Sequence, residues 1–144
     1  MQHDSWLTLD AGLMLGISEL DQQHLRIVHI LNNLNAAVKQ SHESSDVTAR
    51  LYDEMVEYVR FHFRNEERMM EKLEYPDELA HTIAHLSLLD EVMHLRTRFI
   101  NGEEAPVLQA LKDWVVLHIS SSDKRLADFL NGQASAQTPA ALAR

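Results

Sequence analysis

Apolar residues recur along this chain at alternating steps of three and four, the spacing that lines one face of an α-helix. The first run opens at Ser18, an expected N-cap with Asp21 three residues on, and repeats Leu20, His24, Ile27, Leu31, Leu34 and Val38. A polar stretch from Ser41 to Asp46 breaks it. Ser44 or Ser45 is the expected cap of a second helix, whose stripe is Leu51, Met55, Tyr58, His62, Glu66, Met69 and Leu73. Tyr75-Pro76-Asp77 marks a third start, with proline in the first turn and acids behind it. Its stripe is His81, His85, Leu88, Val92, Leu95 and Phe99, ended by Asn101-Gly102. Pro106 opens the fourth, with Leu111, Trp114, Val115, His118, Ile119, Leu126, Phe129 and Leu130 before Asn131-Gly132. Long helices joined by short connections predict an all-α fold, an up-down-up-down antiparallel four-helix bundle.

The flanks behave differently. Trp6, Leu7, Leu9, Leu13, Met14, Leu15 and Ile17 are apolar without a clean period, so residues 1–17 read as an N-terminal arm packed on the bundle. Residues 1–132 then form one domain, and the compositionally biased residues 133–144 read as a flexible tail.

Composition removes several function classes. Thirteen basic residues against 22 acidic ones give a net charge of −9, which repels phosphate backbones and anionic membrane surfaces alike. With no cysteine there are no disulfides, thiolate nucleophiles, iron–sulfur clusters or Cys-based zinc sites. No apolar run reaches the roughly 18 residues of a membrane span. The first residues, Met1-Gln2-His3-Asp4, lack the positive region of a secretory signal, so the expected location is cytoplasmic.

The unusual quantity is 9 histidines in 144 residues. His24, His62, His81, His85 and His118 fall on the apolar stripes with Glu66, and Asp123 lies on the adjoining row Ile119, Asp123, Leu126, Leu130. Any one of them alone reads as a hydrogen-bonded core residue. Seven converging without a metal would be strongly destabilising, since each unpaired buried polar group costs several kcal/mol. His62/Glu66 and His81/His85 are i,i+4 pairs, stacked on one face and able to grip the same ion or ion pair. His118 and Asp123 are five apart, about 140° around an ideal helix. That spacing needs either a carboxylate reaching toward a second ion or a local distortion of the helix.

Five imidazoles and two carboxylates suit iron more than calcium or magnesium, while zinc, manganese and cobalt stay open on donor type. Two six-coordinate ions offer twelve positions. Five nitrogens, four oxygens of two bridging carboxylates and a shared oxo or hydroxo bridge fill eleven, leaving one for a small ligand. His94 should point outward, opposite His85, and His29 is badly placed relative to His24 by the same geometry. His3 and His42 sit in the arm and a connection. Glu67 is expected to be solvated, and Trp114 and Met69-Met70 to be core, with Trp114 one turn ahead of His118.

Asp21-Gln22-Gln23-His24, His62-Phe63-Arg64-Asn65-Glu66-Glu67, His81-x-x-x-His85 and His118-Ile119-x-x-x-Asp123 resemble the motif set of the hemerythrins, the bacterial branch above all. Trp6, Tyr75-Pro76 and Trp114 are similar to that pattern too, and the likeness covers roughly residues 6–130. The resemblance implies two iron ions that bind O2 reversibly. It assigns His81, His85 and His118 to one iron and His24 and His62 to the other, with Glu66 and Asp123 bridging and the vacancy on the two-histidine iron. Thr82-Ile83-Ala84 lacks the acid often found before the second histidine of the third helix, which bears on a surface contact rather than on ligation. The expected role is therefore O2 carrier, store or sensor, with no catalytic residue and a protein partner for delivery or signalling left open. The alternatives are a di-iron redox enzyme, a nitric-oxide or iron-handling protein, or a regulatory module without O2 chemistry.

Overall fold

A computed structural model describes residues 6–10, 12–40 and 45–142, with Ser45 and 134–142 described by backbone only. The helices are α1 (Ser18–Lys39), α2 (Ser45–Lys72), α3 (Glu78–Ile100), α4 (Glu104–His118) and α5 (Lys124–Leu142), with a π-helical turn, Ile119–Asp123, joining α4 to α5. α1 packs on α2, α2 on α3 and α3 on α4, and α1 also meets α4, which closes the up-down-up-down bundle, with α5 continuing α4 through the π turn. Among the described residues there is no strand, and no helix is long and apolar enough to cross a membrane.

Helix ends follow from local backbone chemistry. Gly102, at φ 102°, ends α3 in a Schellman turn: its N–H bonds to the Phe99 carbonyl and the Glu103 N–H to that of Arg98. Glu74 does the same for α2 at φ 52°, with the Tyr75 N–H reaching the Met70 carbonyl. A non-glycine residue accepts left-handed backbone here because Tyr75, behind it, is buried against Phe129. Asn131-Gly132 does not end the last helix. Gly132 lies within α5, whose backbone continues to Leu142 although Gly132 and Pro139 are poor helix formers.

At the start of α1 the expected cap is corrected. Ser18 lies inside the first turn, where its Oγ accepts from Gln22, and the cap position is Ile17 with no side-chain bond. Asp21 instead accepts the backbone N–H groups of Leu15 (2.8 Å) and Gly16 (3.0 Å), tying the arm to the helix. Farther along the arm, Asn32 both accepts from the Leu7 N–H and donates to the Leu7 carbonyl. Leu7 and Leu15 are thereby buried on the bundle. In α3, Pro76 precedes the helix rather than occupying its first turn. The Ser44 cap, the Ser45 side chain, His3 and His42 lie outside the described residues.

The stripes of α1, α3 and the α4–α5 helix lie where the periodicity puts them, with Val38, Leu88, Leu95, Trp114, Phe129 and Leu130 half-buried at the margins. In α2 the buried row is instead Tyr52, Met55, Val56, Val59, His62, Phe63, Glu66 and Met70. Leu51, Tyr58 and Met69 flank that row half-buried, and Leu73 is exposed. Both rows of α2 are apolar, so periodicity cannot choose between them; packing against α1 and α3 does. Tyr52 marks the outcome, donating its hydroxyl to the Val92 carbonyl of α3 at 2.6 Å.

Candidate metal centre

All seven polar residues of the stripes are brought together in the core. His24 comes from α1, His62 and Glu66 from α2, His81 and His85 from α3, His118 from the end of α4 and Asp123 from the π turn. Glu66 and Asp123 are fully buried and every histidine of the set is buried. His29 and His94 are exposed, as expected.

The π turn resolves the awkward five-residue spacing. Its i→i+5 bonding carries Asp123 round beneath His118, and their Oδ1 and Nε2 atoms lie 3.2 Å apart. A local distortion, one of the two solutions open from spacing, aligns the pair.

The carboxylates divide the imidazoles three to two. Glu66 Oε1 faces His81 Nε2 (3.3 Å) and His85 Nε2 (3.0 Å), while its Oε2 faces His62 Nε2 (3.1 Å) and His24 Nε2 (3.7 Å). Asp123 Oδ1 faces His81 (3.1 Å) and His118 (3.2 Å), while its Oδ2 faces His24 (2.9 Å). Two groups result, each able to hold a metal ion: Glu66, His81, His85, His118 and Asp123 in one, His24, His62, Glu66 and Asp123 in the other. Within a group the candidate ligand atoms lie within 4.8 Å of one another.

These atoms fit metal ions better than they fit each other. The five Nε2 atoms and all four carboxylate oxygens are buried, and none has a hydrogen-bond partner among the described residues. A buried group left unsatisfied costs about 1–3 kcal/mol, and these atoms face one another at 2.9–3.7 Å without a well-directed bond, a poorer arrangement than a shared metal ion. Protons compensate part of this in the metal-free chain. Burial opposes charge on His24 and His81, but the Asp123 and Glu66 carboxylates outweigh it and hold both at about 9. Burial likewise favours a neutral Glu66, and His62, His24 and His81 overcome it, keeping its carboxyl well below the usual range. Asp123 is lowered too, against burial and the Glu66 charge, by His118 and His24.

Two residues that set ring orientation are absent from the set read in the sequence. Glu67 Oε2 accepts from His85 Nδ1 at 2.8 Å, and Gln23 Oε1 lies 2.6 Å from His62 Nδ1. Such partners fix the tautomer, leaving Nε2 bare and turned inward. Glu67 is thus more than a solvated neighbour of Glu66. Spacing gives no sign of either role, because each acts across a helix interface; Gln23 adjoins His24 yet serves His62. Phe63 stacks on His85 (3.8 Å between centroids, 6° between planes) and also lies 5.9 Å from His62, and Trp114 meets Phe63 edge-on at 6.2 Å. Trp114 therefore backs the three-histidine group.

Residues 15–130 match the hemerythrin HHE cation binding domain family. The chain belongs to the hemerythrin family. Relatives named bacteriohemerythrin include one from Stenotrophomonas maltophilia, 36% identical over 118 residues (81% of this chain, 76% of the relative), and one from Pseudomonas aeruginosa, 34% identical over 130 residues (89% and 82%). A crystal structure of wild-type hemerythrin superposes with a TM-score of 0.73 at 26% identity, covering 85% of this chain and 96% of the other. The family assignment accords with a cluster able to hold cations and with the bundle that surrounds it.

Proposed function

We propose that this hemerythrin-family chain holds two iron ions and binds O2 reversibly. His81, His85 and His118 serve one ion, His24 and His62 the other, and Glu66 and Asp123 bridge. The observation that carries the reading is the three-to-two division of imidazoles about two shared carboxylates. Counting one oxygen of each carboxylate per ion gives five protein donors on one side and four on the other. With a bridging oxo or hydroxo group these would rise to six and five, which would leave the single open position on the His24/His62 side. Held by these seven side chains, an iron pair would supply reversible one-electron exchange with O2, chemistry that no side chain of this site offers.

The chain's own residues favour return of O2 over its breakdown. Phe63, without a dissociable proton, stacks on His85 and lies beside His62 and His118, and the core residues Leu20, Ile27, Leu31 and Ile119 are buried and likewise carry none. Glu67 and Gln23 hold their rings with the bare nitrogen inward. Enzymatic di-iron bundles set four carboxylates with two histidines; here five histidines stand with two carboxylates, which supports a binding protein over a redox enzyme.

The test is iron content together with absorption spectra of iron-loaded protein taken anaerobically, in air, and after deoxygenation. Two irons per chain and a charge-transfer band that comes and goes with O2 are expected. Iron that oxidises at once and irreversibly would favour the enzyme or redox-sensor reading. Protein that takes up no iron would refute the centre.

A further inference from the structure

Behind the ligand set the two sides of the centre differ in charge. On the three-histidine side, His85 Nδ1 donates to the Glu67 carboxylate at 2.8 Å. On the two-histidine side, His62 Nδ1 meets an amide instead, Gln23 Oε1 at 2.6 Å, and His24 Nδ1 is buried with no partner among the described residues. Glu19 stands one turn before Gln23 on α1, yet its carboxylate accepts from Asn65 at 2.6 Å and is engaged there. One metal position thus has an anion behind one of its rings, while the other is backed by a neutral group alone.

The Gln23 amide must present its oxygen. A metal on His62 Nε2 leaves the ring proton on Nδ1, and of the two ends of the amide only Oε1 accepts it. Gln23 therefore fixes the His62 tautomer as Glu67 fixes that of His85, but it adds no charge. A carboxylate partner makes an imidazole a more basic ligand, and negative charge beside a metal favours its higher oxidation state.

The geometry points to Gln23 as a positioning residue that keeps the two metal positions unequal. The His81/His85/His118 position fills first, and the His24/His62 position holds its ion more loosely and in the lower oxidation state. The inference rests on the two-metal reading above and deepens it. Candidate ligand residues already number five in one group and four in the other, and the contrast between Glu67 and Gln23 acts in the same direction. For a site that must return O2, a neutral partner at the open position guards the ion there against outright oxidation. A charge-assisted hydrogen bond is roughly twice as strong as a neutral one, so exchanging amide for carboxylate changes affinity at the ion concerned about fivefold.

Co(II) titration of the metal-free full chain, followed by visible absorption, tests this without iron or O2. Wild type should bind in two steps, the tighter weakened by His118→Ala and the looser by His24→Ala. Gln23→Glu should tighten the looser step about fivefold and leave the tighter one unchanged, while Glu67→Gln weakens the tighter step by a similar factor. Together the two exchanges should narrow the ratio of the two constants about 25-fold. A purely structural role for Gln23 predicts loss on any substitution, so a gain separates the two explanations. In iron-loaded Gln23→Glu protein the reduction potential of the looser ion should fall. A looser step unmoved or weakened in folded Gln23→Glu, or a His24/His62 position that fills first in wild type, would overturn the inference and leave two-metal binding intact. Uptake of fewer than two Co(II) would overturn the two-metal reading, and the inference with it. If Gln23→Glu fails to fold, Glu67→Gln decides, because an unchanged ratio there overturns the inference as well.

Discussion

Glu67 separates metal-site support from core packing. Its side chain is 32% exposed on α2, so replacing it empties no cavity, yet its Oε2 lies 2.8 Å from His85 Nδ1. An ionised carboxylate only accepts, so it holds the proton on Nδ1 and keeps Nε2 free for a metal. Glu67→Gln retains length and an acceptor oxygen but loses the charge. A charge-assisted hydrogen bond is roughly twice as strong as a neutral one of about 1 kcal/mol, so the loss is about 1 kcal/mol. At 1.4 kcal/mol per tenfold, that is roughly fivefold weaker metal binding. Glu67→Ala removes the contact altogether, and loss of such partners costs about 10–100-fold. Anaerobic Fe(II) titration against a competing chelator should rank wild type above Glu67→Gln and Glu67→Ala last. Glu71→Ala, exposed on the same helix, should bind as wild type does. The Glu67–His85 bond exists without metal too, so metal-free Glu67→Gln should lose about 1 kcal/mol of unfolding stability and Glu67→Ala, which leaves the buried His85 N–H unpaired, about 1–3 kcal/mol, while Glu71→Ala should stay within about 0.5 kcal/mol of wild type. Unchanged iron affinity in Glu67→Ala, or an equal loss in Glu71→Ala, would refute the reasoning.

Two further outcomes follow from the same geometry. His118→Ala should lower iron per chain by about half or more, because a ligand-type nitrogen and the partner of Asp123 are lost together; His94→Ala, with a 77% exposed ring, should leave it unchanged, and equal iron in both would contradict the assignment. In the metal-free protein His24 and His81 sit at about 9, above the ordinary 6.5, so their pairing with Glu66 and Asp123 is fully stabilising below pH 6.5 and is lost as pH rises through 9. The thermal midpoint of metal-free protein should therefore fall between pH 6.5 and 9.5, and a midpoint that climbed over that interval would exclude this charge arrangement.

Four helices, the Gly102 stop and the rows holding His24, His62, Glu66, His81, His85 and His118 were legible in the sequence, because periodicity and left-handed turn chemistry act within a few residues of chain. Tertiary structure decided the rest. It selected Tyr52, Val59 and Phe63 over Leu51, Tyr58 and Leu73 as the inner row of α2, a choice between two apolar rows that only neighbouring helices can make. It wound Ile119–Asp123 into a π turn, which no residue type in Ile-Ser-Ser-Ser-Asp requires, and so brought Asp123 under His118. It also recruited Gln23 and Glu67 to rings 39 and 18 residues away. Spacing along a helix determines which side chains share a face. Where that face points, and what meets it across the bundle, depends on packing between segments distant in sequence.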